Sequence, residues 1–188
     1  MTQNFKKTEK QIEAIKLLGS EAKNIMAYGG SRSGKTFILV YAIIVRASKV
    51  KSRHVILRQN FSHAKRSIWL DTLKMVLAIA FPNLKPKPNS TDLYLTLANG
   101  SEIWVGGLDD EKNVEKILGN EYSTIYFNEC SQIPYSSIQI AKTRLAEKNE
   151  LTKKTYYDEN PPTKSHWSYW LFEKHLDPID EVPLTDPH

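Results

Sequence analysis

The stretch NIMAYGGSRSGKTFILVYAIIV, residues 24–45, decides the fold. NIMAY (24–28) reads as a buried strand. GGSRSGKT (29–36) follows without a spacer and fits the spacing G-x-x-x-x-G-K-[ST], with Gly29 first and Gly34-Lys35-Thr36 last. KTFILVYAIIVRAS then reads as a buried helix. Strand, glycine-rich turn and helix in that order are the context in which this spacing binds phosphate. The glycines let the backbone curl so that the N–H groups of Gly29, Gly30, Ser31, Arg32, Ser33 and Gly34 point inward. The helix N-terminus adds partial positive charge. Lys35 would reach the β- and γ-phosphates of a nucleotide, and the Thr36 hydroxyl would bind Mg²⁺.

Elements of the same kind flank this core. Thr8-x-x-Gln11 is a capping box before a helix with Ile12, Ile15 and Leu18 on one side, ended by Gly19. HVILR (54–58) reads as a strand, and Ser62 to about Phe81 as a long helix closed by Pro82. Asn99-Gly100 joins DLYLTLA to SEIWVGG, a strong hairpin signal, which sets an inserted hairpin near 92–105. A short helix is expected near 110–117, then the strand STIYFNE, then a helix from Pro134 to about Glu147. KKTYYDEN is a further strand, stopped by Pro161-Pro162, and a helix near 165–176 follows. Strands alternating with helices imply an α/β fold, a mainly parallel sheet covered on both faces.

A nucleotide hydrolase also needs a group that orients the attacking water. Glu129 ends the strand STIYF, which is expected to lie beside the phosphate-loop strand. Ligands bind at the carboxyl ends of such strands, so Glu129 is the candidate for that role. The usual aspartate before it is replaced by Asn128. An amide oxygen can accept a hydrogen bond but carries no charge. Weaker, water-mediated retention of Mg²⁺ is expected, with Asp158, at the end of the neighbouring strand, as a compensating carboxylate.

Composition narrows the class. The 188 residues are 40% hydrophobic and 25% charged, which suits one globular domain. MTQNFKKTEK has no apolar signal region, and the longest apolar runs are too short to span a membrane. The single Cys130 excludes an internal disulfide framework and carries no nucleophile signature. The net charge of +5 is uneven. Residues 37–91 hold ten Lys/Arg and one acid, Asp71, a net +9 against −4 for the remainder. That asymmetry suits either a solvated basic face or a polyanionic partner.

Taken together, these motifs closely resemble the ATPase motor domain of the large terminase subunit of tailed bacteriophages, across roughly residues 8–175. TEKQIEAIKLL resembles its adenine-recognition segment, with Gln11 at the glutamine. GGSRSGKT resembles its Walker A motif, including Arg32. GLDDEKNVEKILGNEYSTIYFNECSQI resembles the link into Walker B, and AKTRL follows with Arg144. DENPPTKSHWSYWLF resembles the coupling region, with Asn160 as γ-phosphate sensor. The resemblance implies a RecA-like (ASCE) phosphate-loop fold and an ATPase using ATP and Mg²⁺ that drives double-stranded DNA into a procapsid. It implies catalytic roles for Glu129, Lys35 and Arg32.

It also implies partners: DNA, the portal protein, the small terminase subunit and the C-terminal nuclease domain of the full-length protein. A ring is expected in the assembled motor, a monomer in isolation, and no membrane. The place of action would be the cytoplasm of the infected bacterium, at the procapsid portal. Two departures stand out. One is Asn128. The other is Leu118-Gly119, where many relatives have an Arg-Gly that supplies an arginine finger, so the finger would be Arg32 in cis or Arg144 or Lys116 in trans. Arg32 is favoured. Residues 1–176 are read as the motor domain and 177–188 as a linker-like tail, with no nuclease activity expected. Asn128 also admits a second reading, a nucleotide-binding module that does not hydrolyse. A helicase would need a second RecA-like domain and further motifs, and neither appears.

Overall fold

The computed structural model describes residues 7–109 and 111–184. Seven strands form one sheet: β1 (Asn24–Tyr28), β2 (Arg53–Arg58), β3 (Lys87–Asn89), β4 (Tyr94–Thr96), β5 (Glu102–Gly107), β6 (Thr124–Phe127) and β7 (Lys154–Glu159). Their spatial order is β1-β7-β6-β2-β5-β4-β3. The first five in that order are parallel, and β4 and β3 extend the β5 edge antiparallel. The α/β expectation therefore holds, as does the hairpin, in which Thr96 faces Glu102. Gly100 makes its turn at φ +81, a conformation that favours glycine.

Both faces of the sheet are covered, and the strands show it residue by residue. On β2, Ile56 joins a core with α2 (Lys35–Lys49), while Val55 and Leu57 join a second core on the other face. On β6, Tyr126 faces the first core, and Ile125 and Phe127 face the second. The first core also takes in Leu18 of α1 (Glu9–Leu18) and Ile68, Trp69 and Leu73. The second is closed by Ile117, Ile138 and Ala141 from the helices Glu111–Leu118 and Tyr135–Lys142. Residues buried on both sides explain why these strands are nearly continuous apolar runs rather than alternating ones. Burying such a Leu or Ile side chain stabilises by about 1.5–3 kcal/mol.

Four expectations are corrected. The strand carrying Glu129 is not beside the phosphate-loop strand, because β7 lies between them. The long helix runs through Phe61–His63, Ala64–Thr72 and Leu73–Ala80, and its middle part is π-helical. There the Thr72 hydroxyl donates to the Ser67 carbonyl five residues back, at 2.8 Å. The helix after Pro134 ends at Lys142 rather than near Glu147. Finally β3, centred on Pro88, was not foreseen. It is an edge strand, a place in a sheet where a residue lacking an N–H does no harm. Position 110, where the next short helix was expected to begin, lies outside the described residues, as do the last four residues of the tail.

Gly106 and Gly107 end β5 under close packing. A Cβ on Gly107 would collide with the backbone N and Cα of Phe61, which cannot swing away as a side-chain tip could. Gly107→Ala is therefore expected to lower the unfolding free energy by about 1–3 kcal/mol, the usual cost of overpacking. A urea titration reads this as a lower midpoint, and an unchanged midpoint would contradict the packing.

Candidate functional site

The carboxyl ends of β1, β7 and β6 converge on one edge of the sheet. Past β1 the chain turns through the glycine-rich loop. Arg32 (φ +62) and Gly34 (φ +83) both take left-handed backbone, which curls the loop, and Gly34 caps α2. The Lys35 ammonium folds back over the loop and donates to the carbonyls of Gly29 at 2.5 Å and Gly30 at 2.9 Å. Ser33 Oγ lies 3.3 Å from it. Gly29 has little room to spare: an added Cβ would stand 3.2 Å from Ser33 Oγ. Ser31 and Arg32 are exposed.

Gln11 approaches from α1. Its Oε1 accepts from the Thr8 N–H at 3.0 Å, and its own N–H donates to Thr8 Oγ1 at 3.2 Å, so the capping box is formed. Its Nε2 points at Gly34, 3.3 Å from where a Cβ would be. The same residue thus caps a helix and faces the loop. A cleft of about 630 Å³ runs from Thr8 and Gln11 past Met26 and Tyr28 to Gly34 and Lys35.

Asp158, near the end of β7, is the meeting point. It is 3% exposed. Its Oδ1 accepts from the Glu129 backbone N–H at 2.8 Å and from Asn128 Nδ2 at 2.9 Å. Its Oδ2 accepts from the Thr36 hydroxyl at 3.3 Å. One carboxylate therefore ties the phosphate loop to the end of β6. Asn128 Nδ2 also donates to the buried Tyr126 hydroxyl at 3.1 Å. Burial pushes the Asp158 carboxyl above the ordinary range, against the opposing pull of its hydrogen bonds and of Lys35.

Glu129 sits in left-handed backbone at φ 50, ψ 52, an unfavourable region for a side chain of this kind that is found at functional sites. Its carboxylate is ion-paired with Arg58, at the end of β2, and accepts from Gln132 Nε2 at 3.1 Å. Arg58 is itself buried and donates to Ser67 Oγ at 2.7 Å. Arg58 was missed in the sequence reading, where it counted only as one of ten basic residues. Only its position at the end of the expected strand HVILR was legible in the sequence; the pairing with Glu129 came from the fold.

Asn160 is exposed just past β7, ahead of Pro161. Its neighbour Glu159 is 1% exposed, accepts from Ser168 Oγ at 2.6 Å, and faces the Cys130 thiol at 3.4 Å. Burial raises the Glu159 carboxyl and, strongly, the Cys130 thiol, which suits an inert cysteine. His166 bridges Ser168 Oγ, at 2.7 Å, and the Ser131 carbonyl, at 3.2 Å. Arg144 and Lys116 are not brought to this edge. The Arg144 carbonyl bonds the Tyr122 N–H before β6 starts, at the opposite end of that strand. Lys116 is ion-paired with Asp92 and lies over the Trp104 ring.

The basic segment divides into two populations. Arg46 donates to Thr124 Oγ1 at 2.9 Å and to the Thr152 carbonyl, Arg53 pairs with Glu102 at 2.7 Å, and Arg58 holds Glu129. Lys49, Lys51, Lys65, Arg66, Lys74, Lys85 and Lys87 are exposed. Among the described residues no cluster of three His, Cys, Asp or Glu could hold a metal by itself, and no helix is long and apolar enough to cross a membrane.

The sequence matches the family model described as phage terminase large subunit over residues 21–185. No curated protein matches it. Among solved structures it is similar to the large terminase from a thermophilic bacteriophage, with TM-score 0.76 and 20% identity over 94% of this chain and 45% of that one. The terminase of the same phage in complex with ATP-gamma-S gives TM-score 0.72 and 19% identity over 94% and 44%. The N-terminal domain of the DNA packaging ATPase from bacteriophage phi29 gives TM-score 0.66 and 17% identity over 92% and 91%. The chain therefore spans less than half the length of the thermophilic phage's terminase.

The raised Asp158 carboxyl carries a stability signature. Between the unfolded carboxyl value, about 3.9, and the higher folded value, the folded state binds the extra proton, so stability falls as pH rises through that window. Asp158→Asn removes this penalty while keeping an acceptor for the Glu129 N–H. The variant is expected to melt above the parent near pH 7, with the gain shrinking toward zero as the pH drops to about 4. Calorimetric melts over that range read it, and a gain independent of pH would count against a destabilising buried carboxylate.

Proposed function

The chain belongs to the phage terminase large-subunit family, and from that membership we propose that it is the ATP-hydrolysing motor domain of a DNA-packaging terminase. The observation that carries the reading is the Asp158 carboxylate bonded at once to Thr36 of the phosphate loop and to the Glu129 N–H. It supports the reading because one carboxylate joins the glycine-rich loop to the candidate for the water-orienting role.

In this reading the loop N–H groups from Gly29 to Gly34 and the head of α2 take the β- and γ-phosphates, and Lys35 exchanges its carbonyl partners for phosphate oxygens. Gln11 and the cleft beside it take the base. Thr36, with Asn128 and Asp158 behind it, provides the metal side. Neutral and anionic oxygen-bearing groups beside a loop built for phosphate suit Mg²⁺, which keeps several waters and is held through one or two protein oxygens and substrate phosphates. When bound, Mg²⁺ neutralises charge on the transferring phosphate. Glu129, whose carboxylate Arg58 holds, orients the attacking water as a general base. Arg32, exposed on the loop, stabilises charge at the γ-phosphate in cis, while Arg144 and Lys116 remain for a neighbouring subunit. Asn160 senses the γ-phosphate and couples it to movement.

The work so coupled would be translocation of double-stranded DNA into a procapsid by a ring of such subunits. The ring would sit on the portal protein in the infected cell, alongside the small terminase subunit and the C-terminal nuclease domain of the full-length protein. The exposed lysines and arginines of residues 37–91 suit sequence-independent phosphate contacts. Residues 1–176 form the motor unit in this reading and 177–188 a linker.

Asn128 motivates a second reading, a module that binds nucleotide without hydrolysing it. Single-turnover phosphate release across a Mg²⁺ titration separates the two. The motor reading expects release that saturates with Mg²⁺, is abolished by Lys35→Ala, and drops about 10²–10⁴-fold in Glu129→Gln while ATP still binds. Tight binding with no release at saturating Mg²⁺ would select the second reading. Full activity in Glu129→Gln would remove that residue from the mechanism.

A further inference from the structure

We propose that the metal-side carboxylate of this site has moved one strand toward the phosphate loop, so that Asp158 on β7 does the work usually given to the aspartate ending the glutamate-bearing strand, and Asn128 is the positioning residue that orients it. The proposal rests on the nucleotide-site reading above and assigns its metal side to particular atoms.

The sheet makes the exchange possible. Phe127 pairs with Tyr157 across β6 and β7, so Asn128 and Asp158 are the next pair at the carboxyl ends. Asp158 also pairs with Ala27 of β1, which puts its strand directly beside the one that feeds the phosphate loop. A carboxylate here is one strand closer to Thr36 than a carboxylate at position 128 would be.

The hydrogen bonds assign the roles. Asn128 turns its amide nitrogen to the site, donating to Asp158 Oδ1 at 2.9 Å and to the Tyr126 hydroxyl at 3.1 Å. An N–H donor cannot ligate a cation. In Asp158, Oδ1 is fixed by two donors, and Oδ2 is the oxygen turned to the Thr36 hydroxyl. Among the described residues no lysine or arginine bonds this carboxylate. Lys35 acts on it only through space, as an attraction smaller than the burial penalty. A buried anion that lacks a bonded counter-charge, beside a phosphate loop, is the arrangement expected where a cation completes the site.

Asn128 is then a complement to Asp158 rather than a lost aspartate. An aspartate at 128 would put an acceptor where the structure has a donor 2.9 Å from Asp158 Oδ1. Two carboxylates that close cannot both ionise freely, and one would retain a proton. Restoring the usual residue at position 128 is therefore expected to damage the site, and exchanging the two residues to repair it.

The experiment compares the chain with its D158N, N128D and N128D/D158N variants, each checked by thermal melting. Isothermal calorimetry gives the ADP Kd in EDTA and in Mg²⁺, and paramagnetic resonance gives Mn²⁺ affinity for the ADP complex. The readout is the ratio of the two ADP Kd values, which a merely structural turn-capping role would not move. In D158N the metal affinity is expected to fall about 10–100-fold, with the Kd ratio approaching one. N128D is expected to lower the ratio, because an acceptor replaces the N–H donor that orients Asp158 Oδ1, and the double variant to recover most of the parent ratio. A parent ratio that D158N keeps, or a double variant no better than D158N, overturns the transposition and leaves the nucleotide site standing. Failure of the parent to bind ADP in either condition overturns the nucleotide-site reading itself.

Discussion

The carboxylate of Asp158 holds together parts of the chain that are far apart in sequence. It joins Thr36 at the head of α2, Asn128 past β6 and, through the Glu129 N–H, the left-handed turn that aims the Glu129 side chain. A turn with positive φ at a glutamate is unfavourable alone. It persists because its N–H is fixed from one side by Asp158 and its carboxylate from another by Arg58. The insertion of β7 between β1 and β6 makes this possible. Were β6 beside β1, no strand end would stand between loop and glutamate to carry the bridging group.

Much of the frame was legible in the sequence because it follows from period and turn chemistry. The strand–GGSRSGKT–helix unit, the Asn99-Gly100 hairpin and the capping box at Thr8 each carry a local signal, and each forms as read. The long-range arrangement was not legible. Nothing local in KKTYYDE says that it slots between two strands that come earlier in the chain. The bond that marks the π stretch joins Thr72 to Ser67, two polar residues that carry no periodicity signal, so it left no trace in the sequence. Arg58 looked like one more basic residue until the fold put it opposite Glu129.

That last case bears on the reading of charge. A segment at net +9 invites the thought of a polyanion, yet three of its ten basic side chains are engaged inside the protein. The engaged ones do structural work: Arg46 joins the start of β6 to the segment before β7, and the buried Arg58 fixes the catalytic candidate. The charge available to a partner is carried by the seven exposed residues, three of them on the helix that supplies Ser67 to Arg58. That helix therefore carries exposed Lys65, Arg66 and Lys74 on its surface and, through Ser67, accepts from the buried Arg58 that pairs with Glu129.

The pleat of β7 extends the same logic beyond the site. Successive side chains point to opposite faces, and the cores record it: Tyr156 packs with α2, Tyr157 with the opposite layer. Asp158 returns to the α2 side, where it meets Thr36. Glu159 turns to the other side, where it meets Cys130 and Ser168, and His166 carries the connection on to the Ser131 carbonyl. Two adjacent buried carboxylates on one stiff strand therefore serve the phosphate loop and the C-terminal segment respectively. A shift of β7 that alters the bond to Thr36 must also alter the bond to Ser168, since the two carboxylates are neighbours in the chain and the strand is hydrogen-bonded on both sides.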